Sequence, residues 1–232
     1  MEKLYWARFA TAVVAIAGLL GAGACGPQRT AVIGPINDSA PLARATTEGT
    51  RLTEPTRIDF AWELNESGAR VKGVGVARVE PPYRARLDLF LEGGETVISA
   101  ALVDEDLRLP AGAPDGFLPP VDLMWGTLGV FRPVEETTLA GGDRLENGGE
   151  RLRYRYSGGN EIHYEIVGGT VVALELLEGA SVVQWVRLEA DGDGRYPASA
   201  TYRNLVDFRE LKILRTALRA TEPFADAIWD PR

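Results

Sequence analysis

The chain of 232 residues has one cysteine and one histidine. A single cysteine excludes a disulfide framework and a multi-cysteine metal site. A single histidine excludes a centre built from several imidazoles. Basic residues are also short, 25 against 33 acidic, for a net charge of −8 and a pI near 4.9. Such a balance argues against nucleic acid as a partner, because phosphate binding needs a basic face. No Gly-x-Ser-x-Gly elbow is present. Asp191-Gly-Asp-Gly194 lacks the third acidic or Asn position and the distal Glu of a calcium loop, and reads as a hairpin turn. Asp104, Glu105 and Asp106 read as a solvated turn. The expectation is a protein that is not an enzyme and needs no cofactor. What is present, 45% hydrophobic and 25% charged residues, fits an ordinary globular protein.

The first 24 residues read as an export signal. Lys3 and Arg8 precede an apolar run from Phe9 to Leu20, followed by the small residues Gly21-Ala-Gly-Ala24. The run is short of the about 20 apolar residues that a membrane span requires. Ala22-Gly-Ala-Cys25 resembles the lipobox of bacterial lipoproteins. The resemblance implies cleavage before Cys25, a diacylglyceryl thioether on its sulfur and acylation of the new amino terminus. The other reading is an ordinary signal peptide cut near Ala24, with an incidental cysteine. Gly26 stands where Asp would favour inner-membrane retention in the resemblance, so an outer-membrane anchor facing the periplasm is expected. Residues 25–50 hold Pro27, Pro35 and Pro41 and few large apolar side chains, and read as a tether. A short helix from Ala40 to Leu52 fits its end. The folded domain is expected over 51–232.

From Arg57 the chain alternates. Ile58, Phe60, Trp62 and Leu64 share one face, and Arg57, Asp59, Ala61 and Glu63 the other. This period of two predicts a half-buried strand. Arg84–Leu91, Arg151–Tyr156 and Glu161–Ile166 repeat it, which turns His163 away from Ile162 and Tyr164 and toward solvent. Turn signals such as Asn65-Glu-Ser-Gly68, Gly93-Gly94 and Gly158-Gly-Asn160 recur between the strands. Eleven or twelve strands, mostly antiparallel hairpins, follow. The lack of long helical patterns between them argues against a parallel βαβ sheet. One segment departs. Val121, Met124, Trp125, Leu128 and Phe131 fall near helical spacing, with Pro133 as a stop. It reads as an apolar lid or plug between the first five strands and the rest. Phe224, Ile228 and Trp229 are expected to tuck back against the sheet.

The order of lipobox, tether, strand series from Arg57-Ile-Asp-Phe through Ala85-Arg-Leu-Asp-Leu, and apolar insert from Leu118 to Phe131 resembles the LolA and LolB lipoprotein-localisation carriers. The resemblance implies an all-β fold with a small helical insert, an antiparallel curved half-barrel whose helical lid covers an acyl-chain cavity. It implies a membrane contact through lipidated Cys25, a lipid or acyl-chain ligand and a periplasmic carrier as partner. Cys25 points to the receptor-like branch, and Phe117-Leu118 is a candidate for that branch's exposed apolar loop. Parity makes Trp62, Leu87, Leu89, Trp125, Phe131, Tyr154 and Tyr164 candidate cavity lining. The same side chains would equally fill a closed core, which leaves a structural or interaction lipoprotein as the alternative.

Overall fold

The computed structural model describes residues 29–113, 118–192 and 195–231. The expected signal segment, Cys25, Phe117, and Asp193 and Gly194 of the expected turn lie outside the described residues. A first meander comprises β2 (Thr56–Glu66), β3 (Ala69–Glu80), β4 (Arg84–Leu91), β5 (Thr96–Val103) and β6 (Asp106–Arg108). A second comprises β7 (Thr137–Leu145), β8 (Glu150–Tyr156), β9 (Glu161–Val167), β10 (Thr170–Glu178), β11 (Ser181–Glu189), β12 (Ser199–Asn204) and β13 (Arg209–Ala220). They fuse where β13 pairs antiparallel with β2 along its whole length, from Arg209 opposite Glu66 to Ala220 opposite Thr56. With β1 (Val32–Ile36) beside β7, thirteen strands form one sheet in the order β1-β7-β8-β9-β10-β11-β12-β13-β2-β3-β4-β5-β6. The sheet is curved and open. Its edges are a five-residue strand containing Pro35 and a three-residue strand. Short, proline-bearing edges resist pairing with other chains.

Alternation in β2 is realised without exception from Thr56 to Leu64. Its inward rings meet glycine on β3. Phe60 lies opposite Gly75 and Trp62 opposite Gly73. A methyl on Gly75 would come within 2.3 Å of the Phe60 ring, and one on Gly73 within 2.9 Å of the Trp62 ring. The rings therefore lie flat across the backbone of β3, an aromatic cover for strand glycines. The Trp62 indole N–H is directed at the carbonyls of Val74 and Phe90 (3.0 and 3.2 Å).

Two helices cover this same inward face. Helix α1 (Ala40–Thr50) buries Ala43, Thr46 and Thr50. The two threonines return their hydroxyls to the carbonyls of Leu42 and Thr46, both at 2.9 Å, so small polar side chains are buried at no hydrogen-bond loss. Helix α2 (Val121–Thr127) buries every residue from Asp122 to Gly126. The tail folds back as expected: Trp229 is buried against Phe224, and Arg86 and Arg108 donate to the carbonyls of Ile228 and Trp229.

Three expectations are corrected. The segment from Val32 to Thr50, read as tether, is part of the fold, because β1 finds its hydrogen bonds on β7 and α1 packs on the sheet. The insert helix ends at Thr127, not Phe131, because Gly129 takes a left-handed φ of +74° and the amides of Leu128, Gly129 and Val130 turn back onto Trp125 and Gly126. His163 is buried rather than solvated, because Arg29 and its neighbours cross over it.

Gly75→Ala is expected to lower stability by about 1–3 kcal/mol, since the Phe60 ring has no free space to retreat into. Gly158→Ala, at a turn with nothing within 4 Å of the added carbon, should stay within about 0.5 kcal/mol of the parent. Urea denaturation midpoints at equal slope test the contrast.

Candidate functional site

Large side chains fill most of the covered face. Trp125, Phe131 and Tyr164 are fully buried, and the Phe131 and Tyr164 rings meet edge to face at 4.7 Å. Trp125 also holds the lid in place. Its indole N–H donates to the Asp104 carbonyl at 2.9 Å, and the Tyr83 ring meets its edge at 6.0 Å. Arg132 stacks over Tyr83 at 3.9 Å and pairs with Asp104 at 3.1 Å. The expected solvated turn at Asp104 is thus also the latch of α2, and Glu105 accepts the Glu135 amide. On the sheet side, Gly126 lets α2 approach Leu174 closely; a methyl there would lie 2.6 Å from its terminal carbons.

Space remains where inward positions are alanine. Ala77 opposes Leu87, which opposes Ala100, and Ala85 opposes Leu102. Ala200 opposes Ile213 on the other side of β2. Beneath the C-terminal end of α2 lie two adjoining hollows, of about 60 and 30 Å³, that share Ala77, Leu87, Thr127 and Leu128. The larger reaches across β2 to Tyr196, Ala200, Ile213 and Arg215. Both are mostly apolar. A water needs about 10–15 Å³ of such space, so the larger hollow takes several atoms of a chain, and a longer ligand must displace Thr127 and Leu128.

Of the seven predicted lining residues, Leu87 alone lines these hollows. Trp62, Leu89, Trp125, Phe131 and Tyr164 are packed into the core, and Tyr154 is half-buried against Phe131 and Tyr164. Leu118, half of the candidate exposed loop, is buried. Sequence reasoning placed Leu128 in the lid but not among the lining residues, and it missed Arg215 and the alanines. The signal was available: small residues at inward parity on neighbouring strands.

The other face is a network of charges. Glu175 is fully buried between Arg29 (2.7 Å) and Arg187 (2.8 Å), and Arg151 meets Glu165 at 2.5 Å with both side chains buried. Arg78, Arg86 and Ser99 surround Asp88. Burial alone would raise the carboxyls of Asp88 and Glu175, but hydrogen bonds and charge from these partners outweigh it and hold both below their ordinary values. His163 is pushed down, first by burial and then by Arg151 and Arg29, against the pull of Glu161 at 2.9 Å. Asp122, buried at the start of α2 and bonded by the Tyr156 hydroxyl, is pushed up by desolvation. A larger open groove of about 520 Å³ on this face is lined by Ala61, Val74 and Leu214 with Lys72 and Glu92. Among the described residues no three His, Cys, Asp or Glu side chains converge to hold a metal ion, and no helix is long and apolar enough to cross a membrane.

An open, curved antiparallel sheet with its helices gathered on one apolar face defines a half-barrel fold. No protein-family model matches the sequence, and no curated protein matches it. Solved structures do. A LolA superfamily protein from Nitrosomonas europaea is 8% identical with a TM-score of 0.52, over 81% of this chain and 96% of that one. A DUF1329 family protein from Desulfovibrio piger is 11% identical with a TM-score of 0.54, over 84% of this chain and 97% of that one. At such identities the fold is what is shared, and the fold is LolA-like.

The titrations fix a pH profile. His163 has a depressed folded pKa, so the stability tied to its neutral form is complete above the unfolded value of 6.5 and is lost as pH falls through the folded value. Asp88 and Glu175 add a second loss below their unfolded values of 3.8 and 4.5. Melting temperature should fall as pH drops below 6.5 and again below 4.5, and His163→Gln should remove the first step while keeping the second. Separately, Arg151→Ala leaves Glu165 buried without its partner and should cost about 3–5 kcal/mol, against under about 1 kcal/mol for Arg70→Ala in an exposed pair.

Proposed function

We propose that this chain is an exported lipoprotein, anchored by a lipidated Cys25 to the outer membrane on its periplasmic side, that binds an acyl chain or lipidated cargo under α2 in lipid or lipoprotein trafficking. One observation carries the reading: on a LolA-like sheet, the apolar face is hollow beneath the C-terminal end of the lid, where alanines replace large side chains. The lid suits entry. Helix α2 has seven residues, too few to be stable by itself, so it stays in place through its contacts with Asp104, Tyr83 and Leu174. A chain that displaces Leu128 exchanges one apolar contact for another. Its binding is driven by area burial at roughly 25 cal/mol per Å². Delivery from a periplasmic carrier fits such a site.

The second reading is a structural or interaction lipoprotein with no cargo. Its support is the dense filling of the face by Trp125, Phe131 and Tyr164.

Ala77 projects into both hollows, so Ala77→Leu should fill them. The full chain in neutral detergent is expected to bind a fluorescent acyl-chain probe with a neutral head saturably, and Ala77→Leu to bind at least about tenfold more weakly, the loss of roughly 1.4 kcal/mol, while melting as the parent does. Absence of saturable binding by the parent hands the case to the second reading. For the anchor, metabolic labelling with a palmitate analogue should mark the parent and not Cys25→Ser; equal labelling rejects the lipid.

A further inference from the structure

The larger hollow has one charged residue in its wall. Positions 211, 213 and 215 of β13 share the inward face, and Leu211, Ile213 and Arg215 stand there. Arg215 breaks an apolar pattern at the mouth of an apolar space. Its side chain is 11% exposed. One guanidinium nitrogen donates to the Tyr196 carbonyl at 2.7 Å, and another meets the Asp191 carboxylate. The side chain of Asp191 is 46% exposed, so the counter-ion sits on the solvent side of the rim.

We infer that the hollow takes single-chain amphiphiles with an anionic head, a carboxylate or a phosphate monoester, which replaces Asp191 on the Arg215 guanidinium. This rests on the acyl-chain reading above and narrows it. The chemistry runs as follows. A guanidinium presents a planar pair of donors that matches either anion. Its bond to Tyr196 fixes the fork while leaving the Asp191 side replaceable. An ion pair with a partly solvated carboxylate contributes little, so exchange for another anion costs little. An incoming head gains the same hydrogen bonds, and its chain gains the apolar walls of Ile58, Leu87 and Ile213. A neutral head gains nothing from Arg215. The chain's net charge of −8 repels anions at long range, so any preference for them must come from this local cation.

The test is photolabelling of the full chain in neutral detergent with three probes of equal chain length, each with a diazirine near its end. One carries a carboxylate, one a phosphate monoester and one an alcohol. Labelled peptides are located by mass spectrometry. The proposal expects label on peptides holding Leu128 or Ile213, about tenfold more for at least one anionic probe than for the alcohol, the gain of one charge-assisted hydrogen bond. The anion preferred tells a fatty acid from a monoacyl phosphate. Arg215→Gln should abolish the preference and leave alcohol labelling unchanged. Asp191→Asn, at an exposed position, should raise anionic labelling several-fold and also leave the alcohol unchanged. Were Arg215 and Asp191 only a strut for the loop, both variants would move all three probes alike, which overturns the proposal. Equal labelling by the three probes in the parent overturns it too, while sparing the acyl-chain reading. No label in the hollow from any probe, with melting unchanged, removes both.

Discussion

Every second side chain of an open sheet falls on one face, and here that face must be kept from water by helices of eleven and seven residues. This shortage of cover organises the rest of the molecule. Where a helix is missing, rings lie flat on the sheet, as Phe60 and Trp62 do over Gly75 and Gly73. Where a helix is present, it must come close, as Gly126 allows against Leu174. Aromatic edges from Tyr83, Tyr154 and Tyr164 close the seams around Trp125 and Phe131. The hollow under Leu128 is the place where these devices stop. Phe60 still floors it on one side, but Ala77, Ala85, Ala100 and Ala200 carry no ring to lay across it.

How much of this could be read beforehand depended on whether the reason was local. The alternation from Ile58 to Leu64 is a property of one strand and was legible. So were the hairpin glycines, the insert before β7 and the returning Trp229. Strand β1 was not, since Gly34 and Pro35 interrupt its short run and it extends by pairing with β7, from Val32 opposite Leu145 to Ile36 opposite Gly142. Helix α1 was read over Ala40 to Leu52, but as the end of a tether, because what it buries is alanine and threonine, which give little apolar contrast to mark a docked face. For His163 the parity was right and the environment was not, because residues far off in sequence cover that face. The lining residues were missed through size. Large apolar side chains mark where a core is filled, so a search among them finds the packing; room is marked by alanine at inward parity.

The charged face is ordered by the same pairing geometry. Strand neighbours set Arg151 beside Glu165, Arg155 beside Glu161 and Arg203 beside Glu210, and each pair closes into an ion pair. Several arginines of this acidic protein thus stand where they neutralise buried or half-buried carboxylates. Glu175 has no side-chain exposure at all, and two arginines hold its charge. One of them, Arg29, comes from outside the two meanders.

That origin bears on the proposed anchor. Arg29 pairs with Glu175, Thr30 bonds Glu165, and Arg151 donates to the Thr30 carbonyl. The chain is therefore fixed to the sheet four residues after Cys25, and four residues span at most about 14 Å. In a lipoprotein anchored at Cys25, this replaces a tether of some twenty-five residues by a leash of four, with its attachment on the charged face. The hollow opens on the opposite face, beside Tyr196 and Arg215. Were the proposed lipid on Cys25, a leash of that length would hold the charged face toward the bilayer and the mouth of the hollow away from it. On the proposed reading, a ligand would then enter from the aqueous side, past Tyr196 and Arg215, rather than from the leaflet that holds the anchor.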